Sequence, residues 1–219
     1  MHPFYQEFRS YLDREDRQKC VDLALSKLSN DEIDVVTLYD EILTPSLRET
    51  LCIENHRPIC VWEEHVRTSI VRTVIECCYP YLVKERDGRY ASTPKGKVIV
   101  VCPTEEYHEI GARMVADFFT LCGFDAVFVG ANTPQDDIIE SIRYISPDYV
   151  AISVTNSYNL VATRRTIQKI VDIRKETGAA FNIIVGGNAF QCNPGIYKEM
   201  GADLLLWTFE DIKRLSQGD

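Results

Sequence analysis

The sequence predicts an α/β protein: an N-terminal four-helix bundle cap followed by a flavodoxin-like (Rossmann-like) sheet of five parallel strands. Three observations carry this. Residues 3–84 show helical periodicity and no convincing strand pairs. Beyond residue 96, short β-branched runs alternate with amphipathic stretches across short loops. The first of those runs, Val98-Ile-Val-Val-Cys102, leads into a polar loop, Glu106-Tyr-His-Glu-Ile-Gly111, and then a helical pattern. Strand–loop–helix units of an open sheet bind ligands at the carboxyl ends of their strands.

In chain order, a first helix is expected near Pro3–Leu12 and a second from Arg17 to Leu28, with Val21, Leu23, Ala24, Leu25 and Leu28 on its apolar side. A third covers Val35 to Leu51 and is kinked by Pro45. A fourth runs from Val61 to Lys84, with Trp62, Val66, Ile70, Val74, Cys77 and Tyr81 at three- and four-residue spacing and Pro80 near its end. Residues 1–84 thus form the cap. Residues 85–96, polar with Gly and Pro, read as a linker, and 97–219 as the sheet domain. Within it, strands are expected near 97–102, 125–129, 148–153, 181–185 and 203–206, and helices near 108–122, 134–144, 159–177, 194–200 and 208–216.

Composition narrows the function. A 219-residue chain with 45% hydrophobic residues can bury a substantial core, and no window approaches 18 consecutive apolar residues, so no membrane span is expected. The first residues, Met-His-Pro-Phe-Tyr-Gln-Glu-Phe, lack the basic and apolar regions of a signal peptide. A net charge of −9 disfavours direct binding to a nucleic-acid backbone. The eight cysteines contain no Cys-x-x-Cys pair and fall mostly within helical or strand patterns. Reduced thiols in the cytoplasm are therefore expected, with no structural zinc.

His108 is the first candidate for chemistry. Glu106, two residues before it, can accept a ring N–H, fix the imidazole tautomer and make the other nitrogen a better metal ligand. Taken alone, a histidine in such a loop is more often an ordinary surface residue, but the spacing downstream changes the balance. From Gly111, 41 residues lead to Ser153-Val154-Thr155, after the run Tyr149-Val-Ala-Ile152. Thirty more lead from there to Gly186-Gly187, after Phe181-Asn-Ile-Ile-Val185. All three motifs fall at carboxyl ends of expected strands. Other α/β chemistries lack their marks: there is no Gly-x-Gly-x-x-Gly after the first strand, no Gly-x-x-x-x-Gly-Lys, no acceptor Asp at the third strand's end and no Gly-x-Ser-x-Gly.

This order and spacing resemble the cobalamin-binding module of methionine synthase, corrinoid methyl carriers, cobalamin mutases and cobalamin-dependent regulators. Its signature is acid-x-His-x-x-Gly, a 41-residue gap, Ser-x-Leu, a further gap and Gly-Gly. The resemblance implies cobalamin bound with its own base displaced from cobalt. His108 would then be the lower axial cobalt ligand and Glu106 its partner. Gly111 would let the nucleotide tail pass the helix start, Ser153 and Thr155 would lie in the tail pocket, and Gly186 and Gly187 would make room for the benzimidazole. Thr155 stands where the family has Leu, and Glu106 where the methyltransferase members have Asp. A glutamate there resembles the light-sensing repressors of the CarH group.

The cap is expected to face the upper side of the cofactor. Trp62-Glu63-Glu64-His65 resembles the Glu-His pair that cobalamin photoreceptors place there, which marks Trp62, Glu64 and His65 as cofactor contacts. Where the repressors carry a preceding Trp, this chain has Glu54, followed by Asn55 and His56. The resemblance therefore implies a stand-alone cobalamin-dependent sensor or regulator of the CarH/AerR type, taking adenosyl- or methylcobalamin. It would lack a DNA-binding helix-turn-helix and act through a partner protein or a change of oligomeric state. The alternative is a corrinoid methyl carrier serving a methyltransferase, and a cobalamin store or chaperone is a third reading. No residue set looks able to catalyse a reaction unaided.

Overall fold

The structure, a computed structural model, describes residues 2–48, 60–90 and 93–218. It divides into two compact units, Met1–Arg89 and Tyr90–Asp219.

The first unit is helical. Helix α1 (Tyr5–Asp13) buries Tyr5, Phe8 and Leu12, one stripe of a 3.6-residue period. Helix α2 (Arg17–Ser29) starts where the Asp16 side chain accepts the Lys19 N–H, and it buries Cys20, Ala24 and Leu28. Helix α3 is continuous over residues 35–48: a turn at Val35–Thr37, a widened π stretch at Leu38–Leu43, and Thr44–Arg48. Pro45, where a kink is expected, lies just past that stretch. Proline offers no N–H to the carbonyl four residues back, and just before it the Thr44 N–H reaches the Tyr39 carbonyl, five residues back. The expected end of this helix at Leu51 lies outside the described residues, as do Glu54, Asn55 and His56.

Helix α4 (Cys60–Glu85) runs through Pro80 and continues as a π turn over Arg86–Tyr90. Helix thus occupies the first half of the stretch expected as a linker. Gly88 makes that stretch look like a loop, but Arg86 Nε bonds Asp87 at 2.8 Å and Arg89 pairs with Asp34 at 3.4 Å. The buried stripe of α4 also corrects the expected one. It runs through Glu63, Arg67, Ile70, Val71, Val74, Ile75, Cys78 and Leu82, while Trp62 is 64% exposed. Apolar spacing pointed to Trp62 and Val66. The bundle instead buries two charged side chains beside them, and Arg67 bonds Asp13 at the end of α1.

The second unit is a five-stranded sheet of order β2-β1-β3-β4-β5, parallel throughout. Its strands are β1 (Lys97–Pro103), β2 (Asp125–Thr133), β3 (Tyr149–Ser153), β4 (Asn182–Gly186) and β5 (Leu204–Leu205). Between and after them lie α5 (Ile110–Leu121), α6 (Gln135–Ile145), α7 (Leu160–Thr177), α8 (Ile196–Met200) and α9 (Phe209–Gln217). Strand alternation sorts the core into two layers. Ile99 and Val101 of β1, Val150 and Ile152 of β3, and Ile183 and Val185 of β4 share one cluster with Ile138 and Ile142 of α6 and Ile167 and Ile170 of α7. Elsewhere Phe118 of α5 meets Phe209 of α9 edge-on at 5.3 Å, and Phe119 meets Phe124 at the same distance. No helix among the described residues is long and apolar enough to cross a membrane.

The strand order is the flavodoxin-like one, in which the chain leaves β1 toward β2 and returns to β3 on the other side. The crevice above the β1/β3 boundary is the switch point where such sheets bind ligands. Both expected motif loops, after β1 and after β3, open there.

Candidate functional site

Glu106 is fully buried, although it lies in a loop between two exposed residues, Glu105 and Tyr107. The carboxylate is enclosed by donors. Its Oε1 accepts the His108 backbone N–H at 3.0 Å and lies 2.6 Å from His108 Nδ1. Its Oε2 accepts the backbone N–H groups of Thr155 and Asn156, at 2.9 and 3.1 Å, and the Asn159 side-chain amide at 3.1 Å. Burial alone would push this carboxyl up. The bonds from the His108 and Asn156 N–H groups, the His108 ring and the Asn159 amide outweigh it and hold the group below the ordinary carboxylate value.

The consequence for His108 is geometric. Its side chain is 46% exposed, and Nδ1 is committed to Glu106. An imidazole so oriented presents Nε2 as its metal-binding nitrogen in the tautomer a metal requires. Among the described residues, no three His, Cys, Asp or Glu side chains gather to hold a metal ion. A metal bound at His108 must therefore bring its other ligands with it.

Three loops meet around this pair. Glu106 ties the β1 loop to the β3 loop through Thr155 and Asn156. The β3 loop is tied in turn to β4: the Val154 N–H bonds the Gly186 carbonyl at 2.9 Å, and the Ala189 N–H bonds the Val154 carbonyl at 3.1 Å. Ser153 stands opposite Gly186 in the parallel register. The two glycines are needed by the protein itself. A Cβ on Gly187, at φ +103°, would lie 2.3 Å from the Val154 carbonyl oxygen, and one on Gly186 would lie 2.9 Å from that of Leu206. Gly111, in the first turn of α5, has no atom within 4 Å of the corresponding position, so a ligand can approach the backbone there.

The structure thus brings Glu106, His108, Ser153, Thr155, Gly186 and Gly187 to one edge of the sheet. Thr155 contributes its backbone N–H rather than its side chain. Trp62, Glu64 and His65 belong to the first unit and are exposed in the first turns of α4; the buried member of that segment is Glu63. Sequence reasoning missed three asparagines. Asn159 holds Glu106 and also donates to the Glu105 carbonyl at 3.2 Å. Asn156 caps the turn that carries Asn159. Asn132, next to last in β2 where the pairing with β1 slips register, accepts the Glu105 N–H at 2.9 Å, and its own N–H bonds the Glu106 carbonyl at 2.8 Å. Their signal was available: asparagines at or just past the carboxyl ends of strands, where turns, caps and irregular backbone favour them.

Residues 96–213 match the B12 binding domain family. A methanol–corrinoid protein of Methanosarcina barkeri is 27% identical over 178 residues, covering 78% of this chain and 64% of that protein. The HTH-type transcriptional repressor CarA of Myxococcus xanthus is 23% identical over 156 residues, covering 71% and 48%. The chain thus spans less than two thirds of either relative. In fold, it is similar to the monomethylamine corrinoid protein of Methanosarcina barkeri, with a TM-score of 0.77 over 97% of this chain and 96% of that one at 14% identity. A family match that covers more than half of the chain and spans all five strands, with Glu106 and His108 at their switch point, leaves one conclusion: this chain belongs to the B12 binding domain family and is a cobalamin-binding protein.

Proposed function

We propose that this protein is the corrinoid methyl carrier of a methyltransferase system, with His108 as the lower ligand of cobalt. The observation that carries the cobalt-ligand reading is the buried Glu106 carboxylate bonded to Nδ1 of a half-exposed His108. The donor set fits a corrinoid, which would bring its own chelated metal and take one nitrogen from the protein. When bound, the corrinoid supplies a cobalt centre that can accept a methyl group and release it.

The chain's own residues do the rest. Glu106 fixes the His108 tautomer, and the β3-loop N–H groups with Asn159 keep that carboxylate ionised and in place. Gly111 would leave room at the start of α5 for the nucleotide tail, and Ser153, Thr155, Gly186 and Gly187 would line its path. Trp62, Glu64 and His65 are the proposed contacts to the upper ligand, on sequence resemblance.

Carrier is favoured over sensor by the relatives. The match to the methanol–corrinoid protein is higher in identity and longer than that to the repressor, and both are longer than the B12 binding segment. The partner is then a methyltransferase rather than a regulator, and methylcobalamin the working form. The glutamate at position 106 remains the feature shared with the regulator branch.

The test is to load the purified protein with methylcobalamin and follow the visible spectrum. The parent should show histidine coordinated to cobalt, and His108→Ala should lose that spectrum and bind roughly 10–100-fold more weakly. Methyl loss to a thiol acceptor in the dark in the presence of a methyltransferase, with no change of oligomeric size on illumination, supports the carrier. A light-driven change of spectrum and oligomeric size without methyl transfer would return the sensor reading.

A further inference from the structure

We infer that Asn132 is a positioning residue for the axial histidine, acting through the backbone of the Glu105–Glu106 turn; the inference rests on the reading of His108 given above. Nothing in the spacing of the cobalamin motifs points to it, since it lies at the end of a different strand, β2.

The geometry is reciprocal. Asn132 Oδ1 accepts the Glu105 N–H at 2.9 Å, and the Asn132 N–H bonds the Glu106 carbonyl at 2.8 Å. The backbone is left-handed at both contact points, with φ +69° at Glu105 and +48° at Asn132. Few side chains accept that backbone, and asparagine is among them. The loop after β1 and the irregular end of β2 are thus locked to each other by two bonds.

The direction of the lock matters. Glu106 is the pivot between the β2 side and the β3 side of the switch point. Its backbone carbonyl is held by Asn132, and its carboxylate reaches the other way to Thr155, Asn156 and Asn159. If the backbone anchor loosens, the carboxylate must satisfy the β3-loop donors from a shifted position. Oε1 then no longer meets both His108 nitrogens. Tautomer and tilt of the imidazole change before any core contact does. A nearby bond provides the control. Thr104 Oγ1 donates to the Thr133 carbonyl at 3.3 Å, joining the same loop to the same strand end without touching Glu106.

The experiment compares Asn132→Gly, Asn132→Asp and Thr104→Val with the parent, using the full chain. Glycine keeps the left-handed backbone and removes the acceptor; aspartate keeps both backbone and acceptor. The first readout is the nitrogen resonance of the His108 ring in the protein without cobalamin, which reports the tautomer directly. The parent and Asn132→Asp should show one tautomer with the proton on Nδ1, and Asn132→Gly a mixture of tautomers. The second readout is the spectrum with methylcobalamin, where Asn132→Gly should weaken histidine coordination about fivefold, the equilibrium effect of one ordinary hydrogen bond. Thr104→Val should leave both readouts at the parent's values. An unchanged tautomer and spectrum in Asn132→Gly overturn the inference, as does an equal change in Thr104→Val, which would mark a general loosening of the loops. A parent that binds methylcobalamin with no histidine coordination overturns the reading of His108 instead, while the ring resonances still decide the role of Asn132.

Discussion

At the scale of single residues, the site is an example of a charge made tolerable by donors. Glu106 is a carboxylate at full burial, a costly arrangement unless its oxygens are saturated. Four N–H groups besides the imidazole provide that saturation. The same loops tolerate no side chain at Gly187. Gly187→Ala would combine a strained positive φ with a Cβ 2.3 Å from the Val154 carbonyl oxygen, an atom of a neighbouring backbone that cannot swing aside. It should lower unfolding stability by about 3 kcal/mol or more, read from urea denaturation of the protein without cobalamin. The prediction holds whether or not a ring ever lies against that glycine.

Elements depend on how their ends are closed. Helix α9 opens with a capping box, in which Thr208 accepts the Asp211 N–H and Asp211 Oδ2 accepts the Trp207 and Thr208 N–H groups, each at 2.9 Å. Burial pushes the Asp211 carboxyl up. The bonds from Trp207 and Thr208, with Arg214, outweigh that and hold it below the usual aspartate value. A group depressed in the folded state stabilises the fold fully above its unfolded value, and loses that contribution as pH falls through the folded one. Asp211→Asn should therefore cost about 1 kcal/mol at pH 7. The gap to the parent should narrow as pH drops below the unfolded aspartate value of 3.8 and close in stronger acid. Thermal melts of both proteins from pH 7 down to about pH 3 check the sign; a gap that widened in acid would contradict it.

For the molecule as a whole, burial divides the thiols. Burial pushes Cys20 and Cys102 up to about 12 and Cys122 to about 11. Thiolate is the reactive form, so these side chains are protected both sterically and by protonation. Cys77 and Cys192 are exposed. Treating the native protein with iodoacetamide at neutral pH should label Cys77 and Cys192 and spare Cys20, Cys78, Cys102 and Cys122 until denaturant is added. Peptide mass mapping reads the outcome. Early labelling of Cys102, on the strand beneath His108, would show that the sheet opens at the site.

Periodicity determined the helical cap, the five strands and their order along the chain, because the burial of one helix stripe or strand face is written directly into apolar spacing. Glu106, His108 and the glycines were legible for a similar reason: a loop after a β-branched run lies at the ligand-binding edge of a parallel sheet. Only the tertiary structure decided which face of α4 is buried, because the buried Arg67 reaches the partly exposed Asp13 of α1 and an ion pair leaves no apolar trace. The five bonds around Glu106 are likewise a product of assembly. Three of them join loops after β1 and β3 that are some fifty residues apart in sequence, loops that become neighbours only when strands pair in the order β2-β1-β3. Backbone N–H groups carry no residue identity, so the donors at Thr155 and Asn156 could not be read from side-chain chemistry. Strand pairing put them there.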